Sequence, residues 1–141
     1  MTLTTAISPA EMGRVAAAVY EGQSVRVSLA SVGATGFTVS STVANWDTVK
    51  LSGNGYADHT DTVATGAYDA TDGRYEMGAS AGANTYIDAS FSASGGSLTY
   101  DRVYVVIGSN TYLHSLLTES PAVTLADGES VTYRIQLAVG L

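Results

Sequence analysis

Val131-Thr132-Tyr133-Arg134-Ile135-Gln136-Leu137-Ala138-Val139 decides the fold class, because apolar and polar residues alternate along it without a break. Val131, Tyr133, Ile135, Leu137 and Val139 share one side of an extended chain; Thr132, Arg134, Gln136 and Ala138 share the other. A period of two is the mark of a strand with one buried and one open face. The same period recurs upstream. Val25, Val27 and Leu29 alternate with Ser24, Arg26 and Ser28, and Thr85, Ile87, Ala89 and Phe91 alternate with Tyr86, Asp88 and Ser90. Phe37, Val39, Ser41 and Val43 against Thr38, Ser40 and Thr42 predict a further strand, and residues 46–51 a short one. Tyr56 to Val63 reads as a polar edge strand or extended loop. The run Val103-Tyr104-Val105-Val106-Ile107 is apolar on both faces, which predicts a central strand covered on each side. Residues 111–117 are its expected hairpin partner across Gly108-Ser109-Asn110.

Gly-rich turns punctuate these strands at Ser52-Gly53-Asn54-Gly55, Asp69-Ala70-Thr71-Asp72-Gly73, Ser94-Gly95-Gly96-Ser97 and Asp127-Gly128. Residues 78–83 have low complexity and are expected to be mobile. The pattern as a whole predicts an all-β fold, an antiparallel sandwich or jelly roll. The beginning of the chain departs from it. Ser8-Pro9-Ala10-Glu11 has the form of a capping box with Pro at the first helical position. Met12, Val15, Ala16 and Val19 follow at helical spacing, and Gly22 suits a stop. A short helix over residues 9–20 is therefore expected, although Gly13 inside it lowers helix propensity by roughly 1 kcal/mol relative to Ala. The expected organisation is an arm, residues 1–22, and a β-sandwich domain, residues 23–141. Met12, Val15, Val19 and Tyr20 are the candidate interface residues of the arm.

Charged residues make up 13% of the chain, about half the ~25% usual for soluble domains, and Ser, Thr, Ala and Gly fill the gap. A surface of hydroxyls can be covered by a neighbour without stranding ions, which favours assembly. The net charge is −7, with only six Lys and Arg scattered along the chain, so no basic stripe is available for nucleic acid. No apolar stretch approaches the ~20 residues of a membrane span. The N-terminus has no basic region followed by an apolar one, so no signal peptide is expected. Absence of cysteine removes disulfides, thiolate catalysis and cysteine-based zinc sites.

Candidate chemistry is sparse. Two histidines are present, and no nucleophile-elbow motif marks a serine. His114 in the strand after Tyr112 reads as a packed or interface residue. Asp58-His59-Thr60-Asp61 offers metal-capable side chains, but one face of a strand collects only His59 and Asp61, too few for a stable site. Asp69 and Asp72 beside Gly73 lack EF-hand spacing, and Glu76 can join them only if the chain folds back. Trp46, between Val43 and Val49, is expected in the core rather than as a sugar platform. No enzyme activity, catalytic residue, metal site or cofactor is expected on these grounds.

The segments Tyr100 to Gly108, Tyr112 to Ser115, Glu119 to Gly128 and Val131 to Leu137 resemble those of small virion proteins of tailed phages, including phages of cyanobacteria. Ser52 to Ala57 and the turn from Asp69 to Tyr75 are similar to the same group. The resemblance implies a β-rich particle component: a capsid cement or decoration protein, or else a tail or fibre subunit or receptor-binding module that contacts glycans. It implies other virion proteins as partners, a homo-oligomer, synthesis in the host cytoplasm and residence in the virion. Residues 1–22 would then be an anchoring arm docked on an adjacent subunit.

Overall fold

Valines at alternate positions build the first strand of the computed structural model, which describes residues 1–2, 7–33, 35–80 and 85–140. Among the described residues, eight strands in mostly antiparallel pairing follow an N-terminal helix, and one short helical turn lies between the first two strands. The fold is thus all-β with a leading helix, as the alternation predicts. The contacts divide the chain into two compact units: Met1–Gln23 with Asp61–Asp88 and Arg134–Leu141, and Ser24–Thr60 with Ala89–Tyr133. This division does not follow a boundary at residue 22, because the helix groups with strands from the middle and the end of the sequence.

In the first unit, α1 (Pro9–Val19) begins where Ser8 accepts a hydrogen bond from the Glu11 backbone N–H at 3.2 Å. The expected capping box is only half formed, since Glu11 turns its carboxylate to Arg14 on the next turn of the helix. Met12 and Ala16 are buried, and α1 packs on β3 (Arg74–Ala79) and β8 (Leu137–Gly140). Gly13 is explained by that seat. A Cβ there would stand 3.0 Å from the Tyr75 ring, so the helix reaches β3 closely only without a side chain. Gly22 takes φ +79° and sends its N–H to the Val63 carbonyl on β2 (His59–Asp69), which ends the helix and starts a short pairing. The strands run β2-β3-β8. The β2–β3 turn is the expected one: Gly73 donates to the Asp69 carbonyl, and the Asp69 carboxylate accepts from Thr71 N–H, both at 2.8 Å. Residues 81–84 fall outside the described residues and with them half of the low-complexity segment, while Gly78 and Ala79 belong to β3.

In the second unit the order is β6-β5-β1, from Ser115–Leu125, Leu98–Ile107 and Ser24–Ala30. β5 is central, as its two-faced apolar run requires, with Val25 opposite Ile107 and Val103 opposite Leu117. Its pairing to β6 shifts between Tyr100 and Arg102, opposite the stretch of β6 that holds Pro121. Proline has no N–H to give a ladder, and an edge strand with a bulge tolerates that. The remaining strands, β4 (Ile87–Ser92) and β7 (Ser130–Ile135), form a two-stranded ribbon. The long strand expected over residues 131–139 is therefore two strands with different partners: β7 pairs with β4, and β8 with β3.

The strands expected at residues 37–43 and 46–51 do not form. Their hydroxyls, read as the open face of a strand, bond locally instead. Thr38 N–H donates to Ser41 Oγ, Ser40 N–H to Thr38 Oγ1, and Asn45 N–H to Thr42 Oγ1, which caps α2 (Val43–Asp47). Ser and Thr offer the backbone such alternatives to a ladder, and here the alternative wins. The result places Trp46 at the centre of a cluster with Ala30, Val32, Tyr104, Val106 and Leu113. Trp46 is fully buried, and its indole N–H donates to the Thr38 carbonyl at 3.0 Å. Replacing Trp46 with Ala is expected to cost about 3–5 kcal/mol of stability through the cavity it leaves. A denaturant titration of the whole chain reads that loss as a lower midpoint.

Candidate functional site

Four donors converge on Asp58. Its Oδ1 accepts from the Ser28 hydroxyl at 2.8 Å and the Tyr56 hydroxyl at 2.7 Å. Its Oδ2 accepts from Lys50 Nζ at 2.8 Å and Arg26 Nη1 at 3.4 Å. The guanidinium of Arg26 continues to Asp47 at 3.0 and 3.2 Å, and the Tyr104 hydroxyl also donates to Asp47 at 2.8 Å. Arg26 and Ser28 lie on the polar side of β1, the side that meets α2 and the loop after it. Tyr56 closes the arrangement by accepting the Leu29 backbone N–H at 2.9 Å. Burial opposes ionisation of Asp58, but the bonds from Lys50, Tyr56 and Ser28 outweigh it and hold the carboxyl below its ordinary value. Burial, and then the bond to Asp58, raise the Tyr56 phenol well above its usual range. Both Asp58 oxygens are occupied by protein donors, which gives this member of the 58–61 cluster a structural role.

Among the described residues, one group of three metal-capable side chains comes together: Asp69, Asp72 and Glu76 in the first unit, with ligand atoms within 4.8 Å of one another. The chain does fold back at the β2–β3 turn, which is the condition the sequence sets for Glu76 to join. Arg74 stands among them, its Nη2 3.2 Å from Asp72 and 3.5 Å from Glu76, and also donates to Gln136 at 3.2 Å. The guanidinium supplies the positive charge that the carboxylates call for, and a hard cation would want six or more oxygens in its place.

The other candidates are placed as follows. Trp46 is in the core and cannot stack on a sugar. His114 is half-buried, donates its backbone N–H to the Val105 carbonyl, and has its Nδ1 3.4 Å from Ser115 Oγ; burial pushes its imidazole below the usual value. Asp61, the partner considered for His59, accepts the Thr62 N–H at 2.7 Å. Of the helix residues, Met12 is buried in its own unit, Val15 and Tyr20 are half-buried, and Val19 is 52% exposed. Met12 is thus no part of a docking surface; Val19 is open to one.

Sequence reading missed two arrangements. One is a chain of phenols in the second unit: Tyr100 and Tyr133 hydroxyls meet at 2.7 Å, and Tyr133 donates to Glu119 at 2.9 Å. The other is a run of hydroxyl pairs on exposed strand faces, Ser90 with Thr132 at 2.8 Å, Ser92 with Ser130 at 2.7 Å and Thr99 with Thr124 at 2.9 Å. Period-two alternation signals the second, since it assigns Ser and Thr to the open face. Nothing in the alternation pairs a tyrosine with a particular partner.

The Asp58 network predicts an acid-sensitive fold. A carboxyl whose folded pKa lies below its unfolded value of 3.8 contributes stability that is present above that value and lost as pH falls through the folded one. Asp58→Asn should destabilise the chain by about 1–3 kcal/mol at neutral pH, because Lys50 and Arg26 lose their shared acceptor. Below the ordinary carboxylate range the variant and the parent should converge, which urea unfolding across an acid series checks.

No protein-family model matches the sequence, no curated protein matches it, and no solved structure matches the chain.

Proposed function

We propose that this chain is a non-enzymatic structural protein of a tailed-phage virion, a capsid cement or decoration protein that binds and stabilises neighbouring subunits. The observation that carries this reading is the exposed hydroxyl pairing on β4 and β7. Ser90, Ser92, Ser130 and Thr132 are exposed and already hydrogen-bonded to one another in pairs, and the next pair on these strands, Asp88 and Arg134, is an ion pair at 2.9 Å. A neighbour that covers the four hydroxyls and stops short of Asp88 and Arg134 desolvates no ion, which is the main cost of burying a polar surface. The charged groups of the second unit add to the argument, since Arg26, Asp47, Lys50 and Asp58 are engaged with one another and not offered to a substrate. The resemblance of residues 100–137 to small virion proteins supplies the particle. The partners are other virion subunits and further copies of this chain, and the protein made in the host cytoplasm ends in the virion.

The finer architecture that suits this role is an antiparallel sandwich of the jelly-roll kind. Within the second unit it is supported by Tyr133 on β7, which reaches Tyr100 on β5 and Glu119 on β6. A tail or fibre location with glycan binding is favoured by one observation, the 59% exposure of Tyr112, an aromatic face free for stacking.

Ser92→Lys combined with Thr132→Lys leaves the buried side of the ribbon untouched, so the protein should fold. Binding to particles that lack the chain should fall by about tenfold or more, as a charge stranded at an interface costs over 1.4 kcal/mol. A pull-down with such particles, together with their heat resistance with and without the protein, measures this. Undiminished binding by the double variant, or binding to a glycan array lost on Tyr112→Ala, points to the fibre reading instead.

A further inference from the structure

Two glycine-rich turns of the second unit close on each other through one asparagine. Asn54 sits at φ +48° between Gly53 and Gly55, which also have positive φ. Its Nδ2 donates to the Ser97 carbonyl at 2.8 Å, and its own carbonyl accepts the Ser94 N–H at 2.8 Å. The fit allows no added atoms. A Cβ on Gly55 would come within 2.8 Å of the Ser94 side chain, and one on Gly96 within 2.8 Å of Asn54 Oδ1. Glycine on both sides of this contact is therefore a steric requirement, and it fixes the residue that follows Asn54.

That successor has a chemical consequence. An asparagine side chain is open to attack by the backbone nitrogen of the next residue, and glycine hinders the attack least because it has no side chain. Asn45 is followed by Trp46, Asn84 by Thr85 and Asn110 by Thr111, so Asn54 alone has glycine after it. It is also solvent-exposed, so water and hydroxide reach it. We propose that Asn54 is a site of spontaneous deamidation that unfastens the clasp between the turns at residues 52–55 and 94–97. The Gly55 nitrogen loses its proton to hydroxide and bonds to Asn54 Cγ. The Cγ–Nδ2 bond breaks, and ammonia leaves with a proton from water. Water then opens the resulting five-membered imide at either carbonyl, giving an aspartate or an isoaspartate at position 54. No other reactant is needed.

In the closed clasp the amide lies over Gly96 and is tied to Ser97, so reaction proceeds when that hydrogen bond opens. After reaction the Nδ2 donor is gone and a carboxylate faces the Ser97 carbonyl, acceptor against acceptor, so the clasp does not close again. The rate of the modification thus reports how often the two turns part, and the product makes the parting permanent. The inference does not depend on the virion role.

Trypsin places each of the four asparagines in a separate peptide, with Asn54 in residues 51–74. The whole folded protein, held in mildly alkaline buffer and then digested, should show the mass of one amide-to-acid exchange in that peptide first, and faster as pH rises. An isoaspartyl methyltransferase should label the same peptide more in the parent than in Asn54→Ser, the remainder coming from Asp72, which also precedes a glycine. Gly96→Ala, which presses on Asn54, should speed the exchange several-fold, and Asn54→Ser should abolish it. Asn54→Asp should melt below the parent. The proposal is overturned if peptide 51–74 keeps its mass while another asparagine peptide changes, or if none changes although the urea-unfolded chain does. A parent-like melting point for N54D overturns the loss of the clasp.

Discussion

Saturation of the Asp58 carboxylate is the constraint on which the second unit depends. Arg26 and Ser28 stand on the side of β1 that carries Tyr104 and Val106 of β5 as neighbours, the side that α2 and its flanking loops cover. A covered sheet face with a guanidinium and a hydroxyl in it is unfavourable unless each group finds a partner. Asp58 and Asp47 arrive from the loop side and meet both needs, while Tyr56 and Lys50 fill the remaining acceptor positions. The loop from Thr48 to Asp58 is thus shaped by charges on the strand beneath it. A chain with six basic residues commits two of them, Arg26 and Lys50, to one carboxylate.

The aromatic cluster depends on the same arrangement. Tyr104 contacts the Trp46 ring at 5.6 Å between centroids and donates its hydroxyl to Asp47, which directly follows Trp46. Asp47 in turn holds Arg26, whose guanidinium lies 5.7 Å from the Tyr104 ring. One side of Tyr104 therefore belongs to the apolar core and its tip to the ion network. Phenol and indole both bury large area while needing one polar partner each, and both find it on the α2 segment or its approach.

Alternation along the chain made β1, β4, β5 and the hairpin at Asp69–Gly73 legible, because burial on one face leaves a periodic trace in the residues. It misled where hydroxyls were the polar half of the pattern. Thr38, Ser40 and Thr42 look like the outer face of a strand, yet the same groups can bond to their own backbone, and a sequence does not record which partner they take. It also ran β7 and β8 together, since a change of partner at Gln136 leaves the period of two intact. The candidate site was not legible as a site. Arg26 reads as a polar residue of a strand and Asp58 as one of the 58–61 cluster, and nothing in the sequence joins them to each other or to Lys50, since the pairs span from 8 to 32 residues.

Hydroxyl groups have two uses in this chain, and the difference lies in what they face. Before α2 they turn inward on the backbone and break a would-be strand; on β4 and β7 they pair across the ribbon and leave the ladder whole. In a non-hydrogen-bonded antiparallel pair the side chains stand closest, so two short hydroxyls can satisfy each other without help from water. A face built of such pairs offers little that must be desolvated, whereas a face of lone serines would compete for water with any partner that approached. Low charge alone therefore does not make a surface ready for assembly. Pairing does, and pairing follows from the register that Ala89 and Phe91 fix by being buried on the other side of β4.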